Sequence, residues 1–97
     1  MDKALVNPVF NKIAYFHFLA GGDDTSQTAR MPLKKGEMVS PQEKGLLEQY
    51  FLSLLSDKKA RVSIGIISNN TLTVSFSGFT KNEFNDIENI LKEMIQK

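Results

Sequence analysis

The chain has 97 residues, no Cys, a single His, and a formal charge of +1 from 12 basic and 11 acidic residues. That length bounds one domain, 1–97, large enough to bury a core without covalent staples. Without Cys there is no disulfide or thiolate metal site, and one His is too few for a zinc centre. Near-neutral charge gives no general attraction to polyanions or acidic membranes.

Met1–Val6 holds no apolar run of signal-peptide length before Asn7-Pro8, and no stretch approaches membrane-spanning length. The expectation is a soluble cytoplasmic protein without membrane contact. Residues 1–10 read as a short arm or a half-turn, because Pro8 disfavours helix at Asn7.

Residues 12–20 read as the first strand, rich in aromatics that suit a pleated surface. Strict alternation puts Ala14, Phe16, Phe18 and Ala20 on one face. It puts Ile13, Tyr15, His17 and Leu19 on the other. Gly21-Gly22-Asp23-Asp24-Thr25-Ser26 is a turn cluster. A weaker strand over about 27–33 follows, and Pro32 within it points to a sheet edge.

Ser40-Pro41-Gln42-Glu43 has the spacing of a capping box with Pro at the first helical position. It predicts a helix from Pro41 to about Ser56, with Leu46, Leu47, Tyr50, Phe51, Leu54 and Leu55 on its apolar stripe. Leu52 lies off that stripe. Asp57-Lys58-Lys59 closes the helix.

Residues 61–67 and 71–78 alternate apolar with polar and predict a hairpin. A two-residue loop would set Ile66 opposite Thr73, mixing apolar and polar on one face. A three-residue loop, Ser68-Asn69-Asn70, instead pairs Ile66 with Leu72, Ile64 with Val74 and Val62 with Phe76. Asn70 then takes the left-handed conformation. Thr80-Lys81-Asn82-Glu83 is a second capping box. It opens a helix to about Gln96, with Phe79 and Phe84 at hydrophobic-staple spacing.

The fold class is α+β: a two-layer sandwich whose antiparallel sheet of three to four strands carries two helices on one face. The order is ββαββα or βαββα. Two helices cover one sheet face, so the Ile13–Leu19 side is either a contact surface or covered by residues 1–10.

The glycine spacing matches no nucleotide motif. Asp23-Asp24 after Gly21-Gly22 resembles, as a bare string, acidic turns that hold Mg²⁺, but no second carboxylate source accompanies it, so a solvated loop, no cofactor and no metal are expected. His17 lacks a motif-marked partner for catalysis, and a non-enzymatic protein is expected. The leading expectation is a small binding domain, of the stoichiometric-inhibitor or immunity-protein type, that docks on another protein. Its candidate contact residues are Tyr15, His17, Phe18, Asp23, Asp24 and Leu52. The aromatics would supply anchors and the acidic pair charge complementarity to a basic partner. Self-association as a homodimer is also anticipated. The alternative is a nucleic-acid-binding accessory domain using Lys34, Lys35, Lys58, Lys59 and Arg61. It is disfavoured because the basic set is poor in Arg forks and net charge is small.

Overall fold

A computed structural model describes residues 3–23, 25–55, 60–67 and 70–95. The elements run α1 (Lys3–Phe10), β1 (His17–Phe18), β2 (Ser26–Pro32), α2 (Pro41–Ser53), β3 (Arg61–Ile67), β4 (Thr71–Ser77) and α3 (Lys81–Met94). The strands form one antiparallel sheet in the order β1-β2-β4-β3. The fold is the expected α+β sandwich, with one helix more than expected.

That additional helix corrects the reading of residues 1–10. Val6, Val9 and Phe10 recur at helical spacing and are buried, while Leu5, just before them, is exposed. Pro8 sits inside this helix. It denies a hydrogen bond to the Ala4 carbonyl, but burial of three apolar side chains against α2 outweighs that loss. The Phe10 ring meets Tyr50 and Phe51 edge-on at 5.8 and 5.9 Å. Two tight bonds, Lys12 N to Val9 O and Ile13 N to Phe10 O, then release the chain toward the sheet.

The strand expected over 12–20 is interrupted. Ile13 bridges Leu33, whereas His17 pairs with Arg30. Three residues on one side thus oppose two on the other, which is a β-bulge. The extra residue resets the alternation. Ile13 and Phe16 are both buried, and Tyr15 and His17 both point away from the core. The expected placement of Ile13 beside Tyr15 is therefore incorrect.

The same bulge explains why β2 is not an edge. The Pro32 carbonyl accepts from Ala14 N, so the donor that proline lacks would have faced the bulge, not β4. β2 pairs along its full length with β4 and lies inside the sheet.

The β3–β4 ladder has the expected register, with Ile66 on Leu72, Ile64 on Val74 and Val62 on Phe76. Asn70 has φ 55°, the left-handed turn conformation. Ser68 and Asn69 lie outside the described residues. Both capping boxes form: Glu43 N donates to Ser40 Oγ and Glu83 N to Thr80 Oγ1, each at 3.2 Å. The return bonds run from Ser40 N and Thr80 N to the Glu43 and Glu83 carboxylates. α2 ends at Ser53, earlier than expected, and Ser56 lies outside the described residues. α3 ends at Met94, and Gln96 is likewise outside.

The core is aromatic at its centre. Phe51 of α2 meets Phe10 of α1 on one side and Phe76 of β4, at 5.2 Å, on the other. A second group, Phe16, Phe18, Phe84 and Phe79, joins the first strand to α3. Phe79 and Phe84 stack at 5.6 Å and complete the staple. Replacing Phe51 by Ala is expected to cost about 3–5 kcal/mol in urea unfolding. Tyr15→Ala, at the surface, should stay within about 0.5 kcal/mol of wild type in the same measurement.

Lys12 ties α1's exit to the start of α2. Its Nζ donates to Met38 O at 2.8 Å and reaches the Glu43 carboxylate at 2.9–3.0 Å. The Ser40 amide foremost, and then Lys12, hold the Glu43 carboxyl below its ordinary value. A depressed folded pKa adds stability above the unfolded Glu value, about 4.3, and loses it as pH falls through the folded one. NMR titration should find Glu43 below that reference, and Lys12→Met should move it back upward. Glu43→Gln should flatten the acid limb of the stability profile.

Candidate functional site

Burial on one side of the sheet defines what is left on the other. Ala29, Met31, Ile64, Leu72, Val74 and Phe76 face the helices and are buried. The opposite face carries the alternate residues, and no described helix covers it. Its side chains form rows across the strands. One row runs Gly65, Thr73, Arg30, His17. The next runs Ser63, Ser75, Thr28, and Leu19 N extends it by donating to Thr28 O. Arg61, Ser77 and Ser26 make one end row; Ile67, Thr71 and Pro32 make the other.

The aromatic feature of this face is a pair. Tyr15 and His17 stack with centroids 6.3 Å apart and planes 23° apart. Tyr15 is 51% exposed and His17 is exposed. Regular alternation from Tyr15 to His17 puts both residues on the open side, and the bulge before them turns Ile13 to the other. His17 lies cross-strand from Arg30. The strand positions of the face carry two charges, Arg30 and Arg61, both positive. Thr28 Oγ1 and Ser75 Oγ lie 3.3 Å apart, and the Thr73 hydroxyl is shielded without a hydrogen-bond partner. Beside it, Gly65 leaves open space where a side chain would stand.

A hollow of about 290 Å³ marks the corner where the first strand turns back. Leu19, Gly21, Gly22, Ser26, Thr28 and Ser77 contribute to its wall. Asp23 lies beyond that hollow on the α3 side, where it borders a second one with Gln27, Lys81, Phe84 and Asn85. Asp23 Oδ1 accepts from the Thr25 and Ser26 amides at 2.8 Å and from both hydroxyls at 3.0 and 3.2 Å. These bonds, the Thr25 amide foremost, hold its carboxyl below the ordinary value. Gln27 donates to Asp23 O at 2.9 Å, and its side-chain amide fills the space where a Cβ on Gly22 would sit.

The candidate residues are only partly brought together. Tyr15 and His17 share the open face, whereas Asp23 stands at the end of the sheet toward Lys81, Phe84 and Asn85 of α3. Phe18 points the other way, half-buried against Phe84 at 4.8 Å. Leu52 is half-buried on α2, in the helical layer. Asp24 lies outside the described residues. Arg30 was readable as one of a basic cluster with Lys34 and Lys35, but its place beside His17 was not, because that cross-strand pairing depends on the bulge. Lys34 and Lys35 lie past the Pro32 end of β2, whereas Arg61 pairs at the Ser26 end. Six residues of strand, about 20 Å, separate those ends. Lys58 and Lys59 lie outside the described residues.

Among the described residues no three His, Cys, Asp or Glu side chains gather as a metal site. No helix among them is long and apolar enough to cross a membrane. No family model, curated protein or solved structure matches the chain.

Gly65 gives a local test of how this face is built. A glycine within a strand forfeits packing and backbone order, so Gly65→Thr should raise unfolding free energy by roughly 0.5–1 kcal/mol.

Proposed function

We propose that this chain is a small non-enzymatic binding protein that docks the open face of its sheet onto another protein. A stoichiometric inhibitor or an immunity-type protein works in this way. The observation that carries the reading is the Tyr15–His17 stack, held solvent-exposed beside Arg30 on a face that no described helix covers. Rigid aromatics of this kind supply binding energy at low conformational cost, and paired strands fix them in place.

The surrounding Ser and Thr hydroxyls suit the polar rim of an interface. The strand positions of the face carry Arg30 and Arg61, so the complementary patch on the partner is acidic, not basic as the Asp23-Asp24 turn alone suggested. Asp23 commits one carboxylate oxygen to its own turn and keeps its end of the sheet rigid. It would tune encounter at the rim without anchoring the complex. Cytoplasmic action fits this reading, since a Cys-free chain needs no oxidising compartment.

A second reading has its own support. An aromatic pair beside an Arg on an open antiparallel sheet could also stack the bases of a single strand. Its basic residues are dispersed over both ends of the sheet, which favours the protein-docking reading.

The deciding experiment compares wild type with Tyr15→Ala, His17→Ala and Arg30→Ala. The captured partner should bind Tyr15→Ala at least about tenfold more weakly, the loss of one anchor, while thermal unfolding is unchanged. Arg30→Ala should chiefly slow association and reduce its salt dependence. Undiminished partner binding by all three variants contradicts the reading. A salt-sensitive mobility shift of labelled single-stranded RNA or DNA that Tyr15→Ala abolishes selects the second reading.

A further inference from the structure

The sheet defends one of its edges and leaves the other undefended. β1 is two residues long and follows a bulge, which are ordinary devices against edge pairing. β3 is seven residues long and pairs with β4 without a break. It contains no Pro, Lys or acidic residue. Ile66 and Ile67, at 52% and 41% exposure, stand consecutively on it.

Which of its main-chain groups point outward follows from the ladder. Leu19 N donates to Thr28 O and Ala14 N to Pro32 O, so even-numbered β2 residues turn toward the first strand. Odd-numbered ones, including Thr25, which accepts from Gly78 N, turn toward β4. The registers carry this alternation across the sheet. Arg61, Ser63, Gly65 and Ile67 bond to β4. The N–H and C=O groups of Val62, Ile64 and Ile66 point off the edge. No described residue bonds to them there.

We propose that a second copy of this chain occupies this edge, pairing β3 with β3 antiparallel about a two-fold axis at Ile64. In that register Ile64 faces Ile64, and Val62 of each copy faces Ile66 of the other. These are the residues whose main-chain groups point outward, and each facing pair exchanges two hydrogen bonds. The match is self-complementary, as a two-fold interface requires. Moving the axis to Ser63 or Gly65 shortens the overlap and sets Ile66 or Val62 opposite a residue beyond the strand, and an axis between residues sets outward groups against inward ones.

Charge agrees. Arg61 is the strand's one charge, and the two copies of it land at opposite ends, each beside an uncharged Ile67. Ile66 is covered on the helical side by Val62 of the other copy. Two seven-residue edges meet over only about 23 Å, so the interface is small and the dimer reversible. The open face stays free, so this proposal does not depend on the docking reading.

Sedimentation of the full chain over about 5–500 µM, a range suited to weak self-association, tests it. The mass should climb from 10.9 kDa toward twice that value. Amide exchange at Val62, Ile64 and Ile66 should slow as concentration rises. Ile66→Lys, at a solvent-exposed position, should keep the monomer folded by circular dichroism and weaken the dimer about tenfold or more. Tyr15→Ala should leave dimerisation unchanged and, on the separate docking reading, lose only the partner. A chain monomeric throughout the range overturns the proposal and leaves the edge to a foreign strand. A dimer that tolerates Ile66→Lys but dissolves with Tyr15→Ala overturns it too.

Discussion

The three described helices lie on the same side of one sheet, and Phe51 holds that arrangement together. Its ring joins Phe10 of α1 to Phe76 of β4 through α2. Among the described residues the buried set is wholly apolar. Such a core needs no polar network, and its stability comes from removing apolar surface from water and from close packing. The same economy leaves the reverse of the sheet without a cover. α1 could have lain across it, but α1 instead deepens the covered side by packing on α2.

The bulge between Ile13 and His17 converts that asymmetry into a surface with a character. It turns Ile13 to the same side as Phe16, opposite Tyr15 and His17. It also lies where Pro32 has no N–H to offer, while Ala14 N donates to the Pro32 carbonyl, and so lets a proline-bearing strand sit inside the sheet. One inserted residue thus bears on the position of β2, the composition of the core and the neighbour that His17 meets across the strands. Asp23, saturated by the amides and hydroxyls of Thr25 and Ser26, fixes the end of the sheet toward α3.

Where local chemistry decides structure, the amino-acid sequence was legible. Both capping boxes, the staple of Phe79 on Phe84, and the β3–β4 register were readable because each depends on residues a few positions apart. Asn70 in the left-handed region follows from a loop length that face-matching alone required. Two features were hidden because they depend on contacts distant in the chain. Pro8 argued against a helix at 3–10, and only the rings of Tyr50 and Phe51, some forty residues on, make that helix worth forming. Alternation misassigned Ile13, because a bulge is set by the partner strand and has no signature in 12–20 itself. The candidate site inherits both effects: Tyr15 and His17 were placed together for the right reason, Phe18 and Leu52 belong to the helical side, and the place of Arg30 beside His17 emerged only with the register.

On the proposed docking reading, a partner meets the sheet face that no described helix covers. A photo-crosslinking phenylalanine analogue placed at Tyr15, and in a second chain at the exposed Met38 away from that face, tests it in the producing cell. The account predicts one discrete adduct from position 15 and none from position 38. Adducts from position 38 alone, or none from position 15, would contradict it.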